Sequence, residues 1–278
     1  MAWFEGAKFT PAKFTPLTLF RVHVRFWGAG SAPVRLGKSI MRRHSGAWGN
    51  RGEMNEISTS EAEKGRLPWE SSLGDFFELA VEKSPDKVFV EILGQEFTYR
   101  QGHQRTLQTA AMFQSMGVGH GDRVCLFMPN CPEYLFCWFG LSILGAIGVP
   151  INTAYKRDEM AFILNDAEAK ALVAHRTLVT VAQEAAALAP SIEQKLLVED
   201  QGGSVSGGQT PSGWKLFAEA VSGAASLAPR PEVAPDSVCM LVYTSGTTGN
   251  PKGVMVTHKM YVAAGQGFAA WTQAKPED

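Results

Sequence analysis

No stretch of this chain offers the roughly 20 apolar residues that a membrane-spanning helix requires. The most apolar run, residues 134–149 (YLFCWFGLSILGAIGV), is uncharged but only 16 residues long, and it holds three glycines. It reads as a buried helix running into a strand. The N-terminus also lacks the basic, apolar and small-residue succession of a secretory signal. Cysteine is scarce, and its four copies, Cys125, Cys131, Cys137 and Cys239, form no C-x-x-C pair. That spacing argues against a disulfide framework and a zinc site, so no metal ligands are assigned. The apolar runs around the first three predict reduced, buried thiols of a cytoplasmic protein. The net charge of −1 gives no overall pull toward nucleic acid or an anionic membrane.

Acid is missing from one region. Residues 6–52 carry nine Lys or Arg and no Asp or Glu, and the chain beyond them is net acidic. Residues 1–70 are rich in Gly, Ser and Pro and show no sustained periodicity. They read as a basic, disordered leader, with two other readings open: an organelle transit peptide, which would place the protein in an organelle matrix, or a start assigned too early, with Met41 and Met54 as later candidates.

Order is expected from residue 71 to the end. Leu73, Phe76, Phe77 and Ala80 recur at helical spacing, and Ser84-Pro85 ends the run. Residues 87–92 alternate as a strand, Gly94 is a turn, and Phe97-Thr98-Tyr99 closes a hairpin. Residues 100–116 follow as an amphipathic helix. The run RVCLFM, residues 123–128, is apolar almost throughout, as a strand buried on both faces should be. Pro132 then opens the apolar helix, which leads through Gly145 and Gly148 into a strand near 149–152. A helix at 158–165, a strand at 171–174, a helix at 178–188 and a strand at 195–198 continue the alternation. A Gly/Ser loop (201–213), a brief helix (214–221) and a Pro/Ala-rich connector (228–235) precede a strand at 237–243. Alternating strands and helices predict an α/β fold with a mainly parallel sheet.

The strongest signal is YTSGTTGNPKGV, residues 243–254, placed directly after that last strand. Gly246 and Gly249 let the backbone bend close to an anion. Successive N–H groups can then converge on phosphate oxygens. Thr244, Ser245, Thr247 and Thr248 add hydroxyls, Lys252 adds a compact cation, and Gly253 follows it. Pro251 before Lys252 departs from the Walker A pattern, so kinase and GTPase readings lose their main support. His258 has two open readings, a group lining this site or a structural, capping histidine.

The run 243–254 is similar to the signature phosphate loop of the adenylate-forming superfamily, which includes acyl-CoA synthetases. The resemblance extends upstream through Phe97-Thr98-Tyr99, GDRV at 121–124, residues 130–133 and residues 145–152. The stretch 130–152 resembles the crotonobetaine/carnitine–CoA ligase branch, with related runs in other acyl-CoA ligases. The resemblance implies an N-terminal part of the large domain of such enzymes. It also implies two steps with ATP, Mg2+ and CoA: a small-molecule carboxylic acid becomes an acyl-adenylate, then an acyl-CoA thioester. Residues 244–252 would then handle the β- and γ-phosphates as pyrophosphate leaves. Three other segments of the family are not found before Asp278: the Tyr-Gly-x-Thr-Glu-type adenine and magnesium segment, the Thr-Gly-Asp ribose segment and a mobile domain with its catalytic lysine. A truncated chain, inactive alone and with no assignable catalytic residue, is therefore the expectation. A nucleotide-binding remnant without catalysis stands as the alternative, and a membrane-associated interaction protein as a third reading.

Overall fold

In a computed structural model, the described residues are 70–199, 209–244 and 251–272. The leader, 1–70, therefore lies almost wholly outside them. Helix α1 (Leu73–Lys83) begins with Ser72, whose hydroxyl accepts the N–H of Asp75 at 3.2 Å. Strands β1 (Val88–Ile92) and β2 (Gln95–Thr98) form an antiparallel hairpin. It turns on Leu93 and Gly94, at φ 52° and 76°. Thr98 and Gln101 then close a reciprocal capping box at the head of α2 (Tyr99–Ser115).

The main sheet has seven strands in the order β7-β6-β5-β3-β4-β8-β9. Its parallel part comprises β3 (Arg123–Phe127), β4 (Ile147–Pro150), β5 (Ala171–His175), β6 (Gln194–Val198), β7 (Lys215–Leu216) and β8 (Val238–Thr244). The remaining strand, β9 (Lys252–Thr257), runs antiparallel to β8 and forms the edge. The connecting helices are α3 (Pro132–Leu144), α4 (Arg157–Asp166), α5 (Val179–Ala186) and α6 (Phe217–Ser222), with α7 (His258–Thr272) after β9.

Two-residue alternation divides the core. From β3, Val124 and Leu126 face a cluster that includes Ala110, Phe113 and Leu141 of α2 and α3. Cys125 and Phe127 face the other way, onto Met160, Ile163 and Leu164 of α4 and Ala182 and Ala185 of α5. Both faces of β3 are thereby buried beyond Arg123, which is why the strand is apolar from Val124 to Phe127. A third cluster joins α1 and the hairpin to α3, where Phe77 stacks on Phe139 with ring centroids 4.5 Å apart. Gly140 sets the approach of α3 to α2: a Cβ there would lie 3.1 Å from the Ala110 nitrogen and 3.3 Å from the Thr106 oxygen.

The fold expected from sequence is the observed one, with local differences. The strand expected near 149–152 is β4, Ile147–Pro150, because pairing with β3 aligns Ile147 with Arg123 and draws Gly148 into the sheet. The brief helix expected at 214–221 is preceded by the two-residue strand β7, formed through Leu196 and Leu197. Strand β9 and helix α7 lay outside the sequence-based expectation. The loop expected at 201–213 falls partly outside the described residues. All four cysteines are buried and unpaired. Among the described residues no helix is long and apolar enough to cross a membrane.

Candidate phosphate-binding site

Because β8 runs parallel to β4, it delivers Thr244 at the carboxyl edge of the sheet. That edge is where open α/β sheets place their ligands. The chain returns as β9, with Thr244 opposite Lys252 and Tyr243 opposite Gly253. The two ends of the glycine- and hydroxyl-rich segment are thus held side by side in one ladder. Ser245, Gly246, Thr247, Thr248 and Gly249 lie outside the described residues. Thr244 and Lys252 are both exposed, and none of the ion pairs between described residues engages Lys252. A hydroxyl and an unneutralised ammonium at adjacent positions suit the oxygens of a polyphosphate.

Gly253 has a steric role that sequence alone does not give. The Tyr243 ring lies against it, so that a Cβ would sit 3.2 Å from the ring Cζ. The Tyr243 hydroxyl reaches past it and donates to Oδ2 of Asp166 at 2.6 Å. Burial, and then the Asp166 carboxylate, push the Tyr243 phenol upward, which keeps it a protonated donor. No local signal pointed to Asp166, which is 77 positions away.

His258 resolves to the structural reading. It is fully buried, and its Nδ1 accepts the backbone N–H of Leu73 at 3.2 Å. Burial lowers its pKa to about 4, with Asp75 acting in the opposite direction and His120 reinforcing the drop. It is therefore a neutral imidazole across the physiological range. The cysteines are equally unsuited to nucleophilic work. Burial pushes Cys131 and Cys239 up to about 12, and it also raises Cys125 and Cys137 well above the ordinary thiol range.

A second concavity, of about 260 Å³, is lined by Ser72, Gly74, Asp75, Ile143, Arg230 and Val233. Its cation, Arg230, is held in two hydrogen bonds by Glu78, one of them 2.6 Å. The loop stems present a cation with no such partner among the described residues and are the better phosphate site. Among the described residues no group of three or more His, Cys, Asp or Glu side chains is arranged to hold a metal. No described residue is assigned to a magnesium ion.

Residues 77–278 match the family of AMP-binding enzymes. The crotonobetaine/carnitine–CoA ligase of Salmonella paratyphi A is 35% identical over 187 residues, which span 66% of this chain and 35% of that protein. The chain therefore spans about a third of the length of the curated relatives it matches. Among solved structures, an anthranilate CoA ligase bound to anthranoyl-AMP superposes with a TM-score of 0.62 at 27% identity, over 69% of this chain and 36% of that one. A long-chain-fatty-acid–CoA ligase from Archaeoglobus fulgidus gives 0.62 at 29%, over 73% and 40%.

Proposed function

This chain belongs to the AMP-binding enzyme family, and on that premise we propose that it contributes the phosphate-handling part of an ATP-dependent carboxylic acid–CoA ligase. In the first step a carboxylate oxygen attacks the α-phosphorus of ATP. The bond to the β-phosphate oxygen breaks, and pyrophosphate leaves. In the second step the CoA sulfur attacks the acyl carbon, its proton is lost, and AMP departs with the former acyl–oxygen bond pair. Lys252 and the Thr244 hydroxyl contact the β- and γ-phosphates, with Ser245, Gly246, Thr247, Thr248, Gly249 and Gly253 completing the cradle through hydroxyls and backbone N–H groups. Charge that accumulates on departing pyrophosphate is thereby met by donors already in place. Mg2+, when bound with the nucleotide, spreads that charge further.

The observation that carries this reading is the exposed Thr244–Lys252 pair at the carboxyl edge of a parallel sheet. The relatives' names differ in their acyl groups, so the proposal extends to a small-molecule carboxylic acid and not to a particular one. The domain portion is residues 71–278, with 1–70 a leader, and the reduced cysteines fit a cytoplasmic setting.

The test is direct. Purified protein is titrated with Mg·ATP and with pyrophosphate by calorimetry, then assayed for pyrophosphate release with CoA and a panel of carboxylic acids. Binding that weakens about tenfold in Lys252→Ala supports the cradle. Absence of nucleotide binding by the folded wild-type protein would remove the proposal.

A further inference from the structure

We propose that Tyr243 is a positioning residue whose phenol, docked on Asp166, fixes both stems of the phosphate loop against helix α4. The inference rests on the phosphate-loop reading for its functional meaning. Its geometry stands on described residues alone.

Three contacts converge on one ring. Along the chain, Tyr243 immediately precedes Thr244, the first residue of the cradle. Across the ladder it pairs with Gly253, which immediately follows Lys252, and its ring occupies the space a side chain would fill there. At its far end the hydroxyl bonds Asp166, the last residue of α4. The ring also packs against the apolar cluster on the α4–α5 face of the sheet. A single side chain thus touches the outgoing stem, the returning stem and a helix that belongs to neither.

The position of Asp166 sharpens the point. The C-terminal end of a helix carries partial negative charge, so a carboxylate there is electrostatically disfavoured. A short hydrogen bond from an uncharged hydroxyl offsets that cost and ties the carboxylate down. The same bond prevents the Tyr243 ring from swinging off Gly253. With the ring in place, the Cα atoms of residues 243 and 253 keep one separation, and so do Thr244 and Lys252 beyond them. A preformed spacing of that hydroxyl and ammonium lowers the ordering cost of binding a polyphosphate.

The experiment compares amide hydrogen exchange at Tyr243, Thr244, Lys252 and Gly253 in the wild-type chain, Tyr243→Phe, Asp166→Ala, Asp166→Asn and the Tyr243→Phe/Asp166→Ala double variant, with calorimetric Kd values for Mg·ATP alongside. Tyr243→Phe and Asp166→Ala are each expected to speed exchange of these amides about fivefold, the scale of one ordinary hydrogen bond, and to weaken Mg·ATP by a similar factor. Exchange in β5, Ala171–His175, stays unchanged. Asp166→Asn retains an oxygen acceptor and restores near-wild-type behaviour, and the double variant is no worse than either single one. Unchanged exchange in Tyr243→Phe, strictly additive effects in the double variant, or Asp166→Asn behaving like Asp166→Ala would overturn the proposal. Should Asp166→Ala fail to fold, Gly253→Ala takes its place, because its Cβ displaces the ring. If exchange responds as expected while the wild type does not bind Mg·ATP, the phosphate reading falls and the positioning role stands. If Mg·ATP binds and exchange does not respond, the reverse holds.

Discussion

The backbone N–H of Leu73 donates to Nδ1 of His258 at 3.2 Å, joining the first turn of α1 to the junction of β9 and α7 across 185 positions. The bond requires a neutral imidazole, and burial lowers the His258 pKa to about 4 from an ordinary 6.5. In the unfolded chain the imidazole takes a proton near pH 6.5, and in the fold it does so only near pH 4. Stability is therefore complete above about pH 6.5 and falls as pH drops toward 4, by up to about 3 kcal/mol. Denaturant titrations of wild type and His258→Gln between pH 4.5 and 7.5 check this. The difference between the two proteins is expected to shrink as the pH is lowered, and equal pH slopes would refute the assignment.

Glu78 contributes in the opposite region of the acid range. Burial opposes its ionisation, yet hydrogen bonds from His103 and Arg230 hold its carboxyl down at about 2. Its folded pKa lies below the ordinary 4.5, so its contribution is complete above about pH 4.5 and is lost as the pH falls toward 2. The Arg230 side chain is about a third exposed, at 34%, which reduces the contribution to about 1–2 kcal/mol. Glu78→Gln should remove that part of the acid-unfolding slope and leave the His258 region between pH 4.5 and 6.5 intact.

Gly140 marks the closest approach of α3 to α2. An alanine Cβ would meet the Ala110 nitrogen at 3.1 Å and the Thr106 oxygen at 3.3 Å, both backbone atoms that move only with their helix. Gly140→Ala is expected to destabilise the fold by about 1–3 kcal/mol despite its higher helix propensity. Gly267→Ala, with open space around its Cα, serves as the control and should not destabilise. Chemical denaturation of the two variants separates packing from propensity.

Elements with strong local signals were legible in the sequence, and those made by pairing were less so. The amphipathic run 100–116 announces α2, and the run 123–128 announces a strand covered on both faces. Strand β7 is two residues long and exists because Leu196 and Leu197 offer it a ladder, which no local pattern records. Gly148 reads as part of the link before the strand, yet it lies in β4 because β3 fixes the register. Strand β9 escaped notice for another reason. Lys252, Gly253, Val254 and Met255 are all exposed at the sheet edge, so the strand lacks the inside–outside alternation that marks half-buried strands. The phosphate motif was legible because its residues are contiguous. The Tyr243–Asp166 contact was not, because hydroxyl and carboxylate meet only after the sheet and α4 have packed.

Lys252 provides the sharpest test of the site itself. Its side chain is exposed and pairs with no acidic group among the described residues, so removing it leaves no buried charge behind. Lys252→Ala should therefore leave the unfolding midpoint within about 0.5 kcal/mol of wild type. The same change is expected to weaken pyrophosphate and Mg·ATP binding about tenfold, equivalent to about 1.4 kcal/mol, the scale of one charge-assisted contact to phosphate. Lys252→Arg keeps the charge but alters its shape and reach, and should fall between the two. The salt dependence adds an independent readout. Wild-type affinity should decline more steeply with ionic strength than that of Lys252→Ala, because the variant has one fewer cation at the phosphates. Equal affinities and equal salt slopes in wild type and Lys252→Ala would place the polyphosphate elsewhere on the molecule, whereas a loss of affinity together with an unchanged unfolding midpoint would tie it to the stems of the loop.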